Sequence, residues 1–193
     1  SIRLKESLIR LKKRGRMMVA SYEAIKFQRL DLFTVALKQI GSCIGRAQLE
    51  DAVDVLINGD GNSNPAEKVQ LAQSDKLTYQ DLLNLWGSFG EYQMNVMLAS
   101  HDMMLKLLQV PELQDPKTGL NFQATGCLST PLGAKLFVSS AVPKGTIIGL
   151  DRRYALEMVQ AGGINVEYDK LIDCQMERAA VTSIAGFSKI FPD

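Results

Sequence analysis

His101 is the single histidine of the sequence, so any Ser–His or Cys–His nucleophile has to run through it, and no His-rich metal site can form. It stands beside Asp102 where a helix should begin, which reads as a surface or first-turn histidine. The cysteines, Cys43, Cys127 and Cys174, are odd in number, widely spaced and in no CxxC pair. That pattern argues against a disulfide framework or a zinc knuckle and suits a reducing compartment. The run Asp60-x-Asn62-x-Asn64 opens like a calcium loop. Such a loop needs Gly at its sixth position and Glu at its twelfth, where this chain has Pro65 and Leu71. No GxSxG, SxxK, HExxH or GxxxxGK[ST] occurs. The sequence therefore offers no catalytic residue, no cofactor-binding residue and no metal ligand set.

Two charged groups remain. Lys12, Lys13, Arg14 and Arg16 form a basic cluster near the start, and Glu50, Asp51 and Asp54 crowd the C-terminal end of a long helical stretch. Acids there sit at the wrong end of the helix dipole and need compensation. A metal ion is one source; basic side chains from a neighbouring chain or segment are the favoured one. These seven residues are the candidates for a subunit interface. Glu177-Arg178 reads as a structural ion pair.

The charge is uneven. Residues 1–16 hold seven basic residues against Glu6, while the rest of the chain carries 15 basic and 20 acidic groups. A basic head on an acidic body fits three partners: nucleic acid, the acidic body of another copy, or solvent alone. With 46% hydrophobic and 22% charged residues in 193, the chain is ordinary globular material for one domain or one domain with a lobe. No apolar run is long enough to span a membrane and no secretory leader is evident, so the expectation is a soluble cytosolic protein. The first residue is Ser, which suggests that the natural chain starts upstream.

The elements that must position these residues begin with a short strand at 16–20 and a helix start at Ser21 and Glu23. From about Asp31 to Ile57 the pattern is helical, with Leu32, Ala36, Ile40, Cys43 and Ala47 inward and Phe33, Leu37 and Ile44 widening the stripe. Roughly 40 Å long at the usual rise, this helix should be a spine on which other elements pack. Gly41 and Gly45, one turn apart, predict a close backbone approach or a bend. The run 58–65 ends it. Thr78 and Asp81 cap a short helix that ends at Gly87 or Gly90, and a buried strand follows at 93–99. The next helix, 101–109, turns Met103, Met104, Leu107 and Leu108 inward. Residues 111–131 read as an exposed loop, followed by strands at 135–139 and 146–150 around a Pro143-Lys144-Gly145 turn. A short helix at 154–160, a strand at 164–168 and a strand pair between about 172 and 190 complete the chain. The eight methionines read as gap-filling core. A long helix followed by mixed short elements makes the fold α+β.

The order of motifs resembles a family, the major capsid (coat) proteins of tailed bacteriophages, with the Hong Kong phage coat fold. Residues 12–23, KKRGRMMVASYE, resemble the family's basic strand leaving the extended loop and a Ser-x-Glu turn entering the spine. Residues 50–61, EDAVDVLINGDG, resemble the acidic end of the spine helix with its Gly-x-Gly. Residues 142–151, VPKGTIIGLD, resemble the Pro-x-Gly-Thr strand, and Glu177-Arg178 with Gly186-Phe187 resemble the closing strands.

The resemblance implies a peripheral lobe from 1–77 and 170–193 that carries the spine helix, about 31–57, and an axial lobe from 78–169 gathered at five-fold and six-fold axes. It implies that the N-terminal arm and most of the extended loop lie before Ser1, so that the chain is truncated. It implies a structural, non-enzymatic protein that self-assembles into pentamers and hexamers of an icosahedral capsid enclosing a phage genome. The implied partners are copies of itself, scaffold, portal and maturation protease proteins, and packaged DNA held non-specifically; the implied locations are the virion and, during assembly, the host cytoplasm. On this reading the Lys12–Arg16 cluster pairs with acids of an adjacent subunit, which gives register more than affinity. The alternatives are a nanocompartment shell of the same fold and, from a different class, a DNA-binding accessory protein using the basic head.

Overall fold

A computed structural model describes residues 8–27, 31–73, 76–114 and 132–190. They fall into two compact units, one of 1–65 with 157–189 and the other of 66–156 with 190–193.

The first unit is a sheet with a helix laid on it. Strand β1 (Lys12–Ser21) leads into the short helix α1 (Tyr22–Phe27), whose start is capped by Ser21 Oγ accepting from Ala24 N at 3.2 Å. The spine follows as α2 (Asp31–Asn58), 28 residues long. It stops where Gly59 and Gly61 take φ of +89° and +97°. Gly59 has a second constraint, since a Cβ there would meet the Asn64 side chain at 2.6 Å. Asn64 Oδ1 accepts from Asp60 N at 3.0 Å, which closes the turn.

The sheet is completed late in the chain by β5 (Leu156–Gln160), β6 (Asn165–Leu171) and β7 (Met176–Lys189). The 14-residue β7 is the hub. It pairs antiparallel with β1 along one edge, from Lys12↔Ala185 to Ser21↔Met176. Along the other it takes β6, from Asn165↔Thr182 to Leu171↔Met176, and also β5. Gly186 continues the close approach past β1, since a Cβ there would lie 2.7 Å from the Arg10 carbonyl oxygen.

The second unit holds a small sheet of β3 (Lys135–Val138), β2 (Val96–Ala99) and β4 (Ile147–Leu150) in that order, parallel on one side of β2 and antiparallel on the other. Helix α3 (Tyr79–Gly87) starts in a full capping box. Asp81 N donates to Thr78 Oγ1, and the Asp81 carboxylate accepts from Thr78 N at 2.9 Å. The same buried carboxylate also accepts from Ala72 N at 3.0 Å. Helix α4 (His101–Leu108) buries Met103, Met104 and Leu107, and a one-turn helix α5 (Pro111–Gln114) buries Leu113. With Leu77, Leu82, Met94, Met97, Val110 and Ala134 these make the larger core of the molecule.

At one end of β4, buried Asp151 accepts from Gln93 N, Asn95 Nδ2, and the backbone and guanidinium of Arg153. The guanidinium bonds first, and the rest of this set with them, hold its carboxyl far below the usual range against the opposing effect of burial.

Several expectations need correction. Residues 154–160 contain β5 rather than a helix, and the closing segment is one long strand after a 3-10 turn (Ile172–Cys174) rather than a strand pair. In both places pairing with neighbouring strands outweighs local propensity. Half of the methionine reading stands: Met94, Met97, Met103 and Met104 are buried, whereas Met17, Met158 and Met176 are exposed. Cys43 is exposed rather than inward. Among the described residues nothing lies within 4 Å of a Cβ built on Gly41 or Gly45, so neither serves a close approach to them. The expected exposed loop of 111–131 begins instead with the helix α5 and its buried Leu113; the rest of it, with Cys127, lies outside the described residues, as do the side chains of Leu32 and Phe33. Among the described residues no helix is long and apolar enough to cross a membrane.

Candidate assembly interface

Alternation along β1 sends Lys12, Arg14, Arg16 and Met18 to one face of the sheet and Lys13, Gly15, Met17 and Val19 to the other. Met18 packs with Leu37, Ile40 and Ile44 of α2 and with Val181 of β7, which identifies its face as the one under the spine. On α2 the residues Ile40, Ile44, Gln48 and Asp51 follow at four, four and three positions and so share a stripe. Gln48 Nε2 donates to Ser183 Oγ at 3.0 Å. One turn further on, Asp51 receives the two basic side chains at the start of β1. Lys12 Nζ donates to Oδ1 at 2.8 Å, and Arg14 donates from Nε to Oδ2 at 2.9 Å and from Nη2 to Oδ1 at 2.6 Å.

The Asp51 side chain is 11% exposed, against 42% for Lys12 and 39% for Arg14. Burial by itself raises the pKa of an acid. Here the hydrogen bonds from Arg14 and Lys12, and then their charges, outweigh burial, so the Asp51 carboxyl titrates below the ordinary carboxylate range. The Arg14 guanidinium is raised in turn, chiefly by its bonds to Asp51. Fork-on-carboxylate geometry of this kind fixes orientation as well as charge.

The acids at the end of α2 are therefore compensated, in part, from within the chain. Within the chain, Lys12 and Arg14 of the basic cluster are engaged with Asp51. The reason is the β1–β7 register, which carries the start of β1 past the last turns of α2. The other candidates stay on the surface. Lys13 and Arg16 are exposed, as are Glu50 and Asp54, and Asp54 accepts from Asn58 Nδ2 at 2.7 Å. Glu177 and Arg178 are both paired, though not with each other. Glu177 meets Lys170 at 3.1 Å, and Arg178 meets Asp169, each across the β6–β7 ladder.

A family model described as phage capsid protein matches residues 5–173. The chain belongs to that family. No curated protein matches this capsid protein. Its fold is similar to that of a chain from Mycobacterium phage Che8, with a TM-score of 0.68 at 15% identity over 94% of this chain and 68% of that one. A chain from Microbacterium phage Oxtober96 gives 0.67 at 13%, covering 94% and 67%. The holo-SrpI encapsulin complex from Synechococcus elongatus PCC 7942 gives 0.68 at 14%, covering 94% and 71%. These likenesses establish the α+β fold of tailed-phage major capsid proteins. The capsid protein is a structural shell protein that self-assembles into an oligomeric shell, with a place in the virion capsid.

Proposed function

We propose that this chain builds the pentamers and hexamers of an icosahedral capsid that encloses a phage genome. The observation that carries the proposal is the family match over residues 5–173. The molecule supports it with a rigid 28-residue spine whose last turns are clamped to a sheet, and with surface charges left over for contacts between copies. A shell repeats one set of complementary surfaces under closed symmetry, and a stiff helix–sheet unit keeps those surfaces in register.

On this reading the first unit is the peripheral lobe and the second the axial lobe around the five-fold and six-fold axes. Lys13, Arg16, Glu50 and Asp54 are the charges available to adjacent subunits. Scaffold, portal and maturation protease proteins are the further partners, packaged DNA lies non-specifically at the inner surface, and assembly takes place in the host cytoplasm. A second reading, a nanocompartment shell, is supported by the likeness to the encapsulin complex, whose TM-score equals that of the phage Che8 chain. The family model favours the phage coat. For a DNA-binding accessory protein, two of the four cationic candidates are already spent on Asp51.

The test is light scattering coupled to size exclusion on the gene's full product, with negative-stain images of the heaviest peak. Closed shells, or rings of five and six, are the expected result. A monomer or dimer at high concentration overturns the proposal.

A further inference from the structure

We infer that β6 is a contact surface for a second copy of this chain, met there by the basic edge strand β1 of that copy. The inference rests on the shell reading and adds the place where neighbouring subunits join.

Strand β6 edges its sheet: among the described residues it pairs with β7 alone, and its other row of backbone groups faces no strand. Its residues alternate. The register sets Val166 opposite Val181 and Tyr168 opposite Ala179, on the face where α2 packs, while Asn165, Glu167 and Asp169 take the other face. Alternation of this kind marks a half-buried strand. Yet the apolar row is bare, since Tyr168 is 72% and Val166 41% exposed. An exposed edge strand with an apolar row is a template for association unless something blunts it. Here two of the charged side chains are already used within the chain, Asp169 on Arg178 and Lys170 on Glu177.

Charge indicates what arrives. Glu167 faces solvent with no ion pair among the described residues; its one bond is from Asn165 Nδ2 at 3.1 Å. At the opposite edge of the same sheet Lys13, on the face of Glu167, and Arg16, on the face of Val166 and Tyr168, are also exposed and unpaired among the described residues. One edge is therefore basic and the other carries a free acid. Such edges are complementary between copies and not within one, because β7 lies between them. Joining unlike edges is a heterologous contact, which forms a ring when the rotation between copies closes. Bringing β1 of the next copy alongside β6 satisfies the free edge, covers Val166 and Tyr168, and gives Glu167 a cation.

The test compares full-length wild type with V166E/Y168E, with Glu167→Lys, and with Glu167→Lys combined with Lys13→Glu and Arg16→Glu. Shell yield and the melting temperature of unassembled subunit are read for each. The expected result is that the first two variants lose about tenfold or more in shell yield and that the combined reversal recovers most of it. Glu167→Lys should move the melting temperature by no more than about 2 °C, as an exposed site does. Wild-type shells with equal yield from Glu167→Lys and V166E/Y168E overturn the inference and leave the shell reading intact. Loss without recovery in the combined variant overturns β1 as the occupant. Failure of wild type itself to assemble overturns the shell reading, and this inference with it.

Discussion

Arg14 holds Asp51 by two parallel hydrogen bonds, Nε to Oδ2 at 2.9 Å and Nη2 to Oδ1 at 2.6 Å, across 37 positions of sequence. An edge strand and the far end of the spine helix are joined by this one pair, with Lys12 as a third member. Removing the acid leaves two cations facing each other beside the helix. For Asp51→Asn a loss of about 1–2 kcal/mol is expected in urea unfolding of the subunit. That is below the range for a fully buried pair, because both cations are about two-fifths exposed. A double-mutant cycle with Arg14→Gln should return a coupling of about 1 kcal/mol; a coupling near zero would mean that the contact contributes nothing.

The pH dependence has a definite sign. The folded Asp51 carboxyl lies below its unfolded value of about 3.9. Its contribution is therefore fully present above that unfolded value and is lost as pH falls through the folded one. The stability gap between wild type and Asp51→Asn should be constant at neutral pH and close only below about pH 4. A gap that closes between pH 7 and 5 contradicts the assignment.

In the second unit, Thr78 and Asp81 cap α3 reciprocally, and Asp81 also ties down the Ala72 amide. Thr78→Ala should cost about 1 kcal/mol, the usual value of an N-cap. Asp81→Ala should cost more, about 2 kcal/mol, because it also removes the acceptor of the Ala72 and Thr78 amides. Thermal melts of both variants check the order; a larger loss from Thr78→Ala would refute it.

Glycines with and without neighbours should respond in opposite directions. Gly41 and Gly45 stand in a helix interior with open space around a built Cβ, so alanine at either should raise stability by about 0.5–1 kcal/mol. A Cβ on Gly186 would lie 2.7 Å from the Arg10 carbonyl oxygen and 2.9 Å from Leu11 Cδ2, so alanine there should cost about 1–3 kcal/mol. Melting of the isolated subunit decides both. Destabilisation by Gly41→Ala would contradict the open geometry.

What was legible in the sequence was local. Ser21, Thr78 and Asp81 announce helix starts because a cap depends on residues three apart. The spine extends from Asp31 to Asn58, close to its reading from helical spacing. The elements that went astray depend on distant strands. Leu156–Gln160 is extended because β7 pairs with it, and Met176–Lys189 is unbroken because three strands share it. The inward stripe of the helix was legible at Ile40 and Ile44 but not at Gln48 and Asp51. A polar residue joins a buried face only when the sheet brings it a partner. The need for cations around Glu50 to Asp54 was readable from the dipole; that they come from Lys12 and Arg14 of the same chain follows from a register no local pattern shows.

The pairing of β1 with β7 also sets the order of events on the ribosome. Lys12 emerges long before its partner Ala185, so β1 waits without the strand it pairs with while the chain between them is made. At about 5–20 residues per second that interval lasts roughly ten seconds or more. The long loop to be closed makes this a slow, non-local step compared with the spine helix, which can form as it is made. A nascent subunit thus cannot show a finished edge to its neighbours until β7 has been made, and the topology itself delays polymerisation on polysomes.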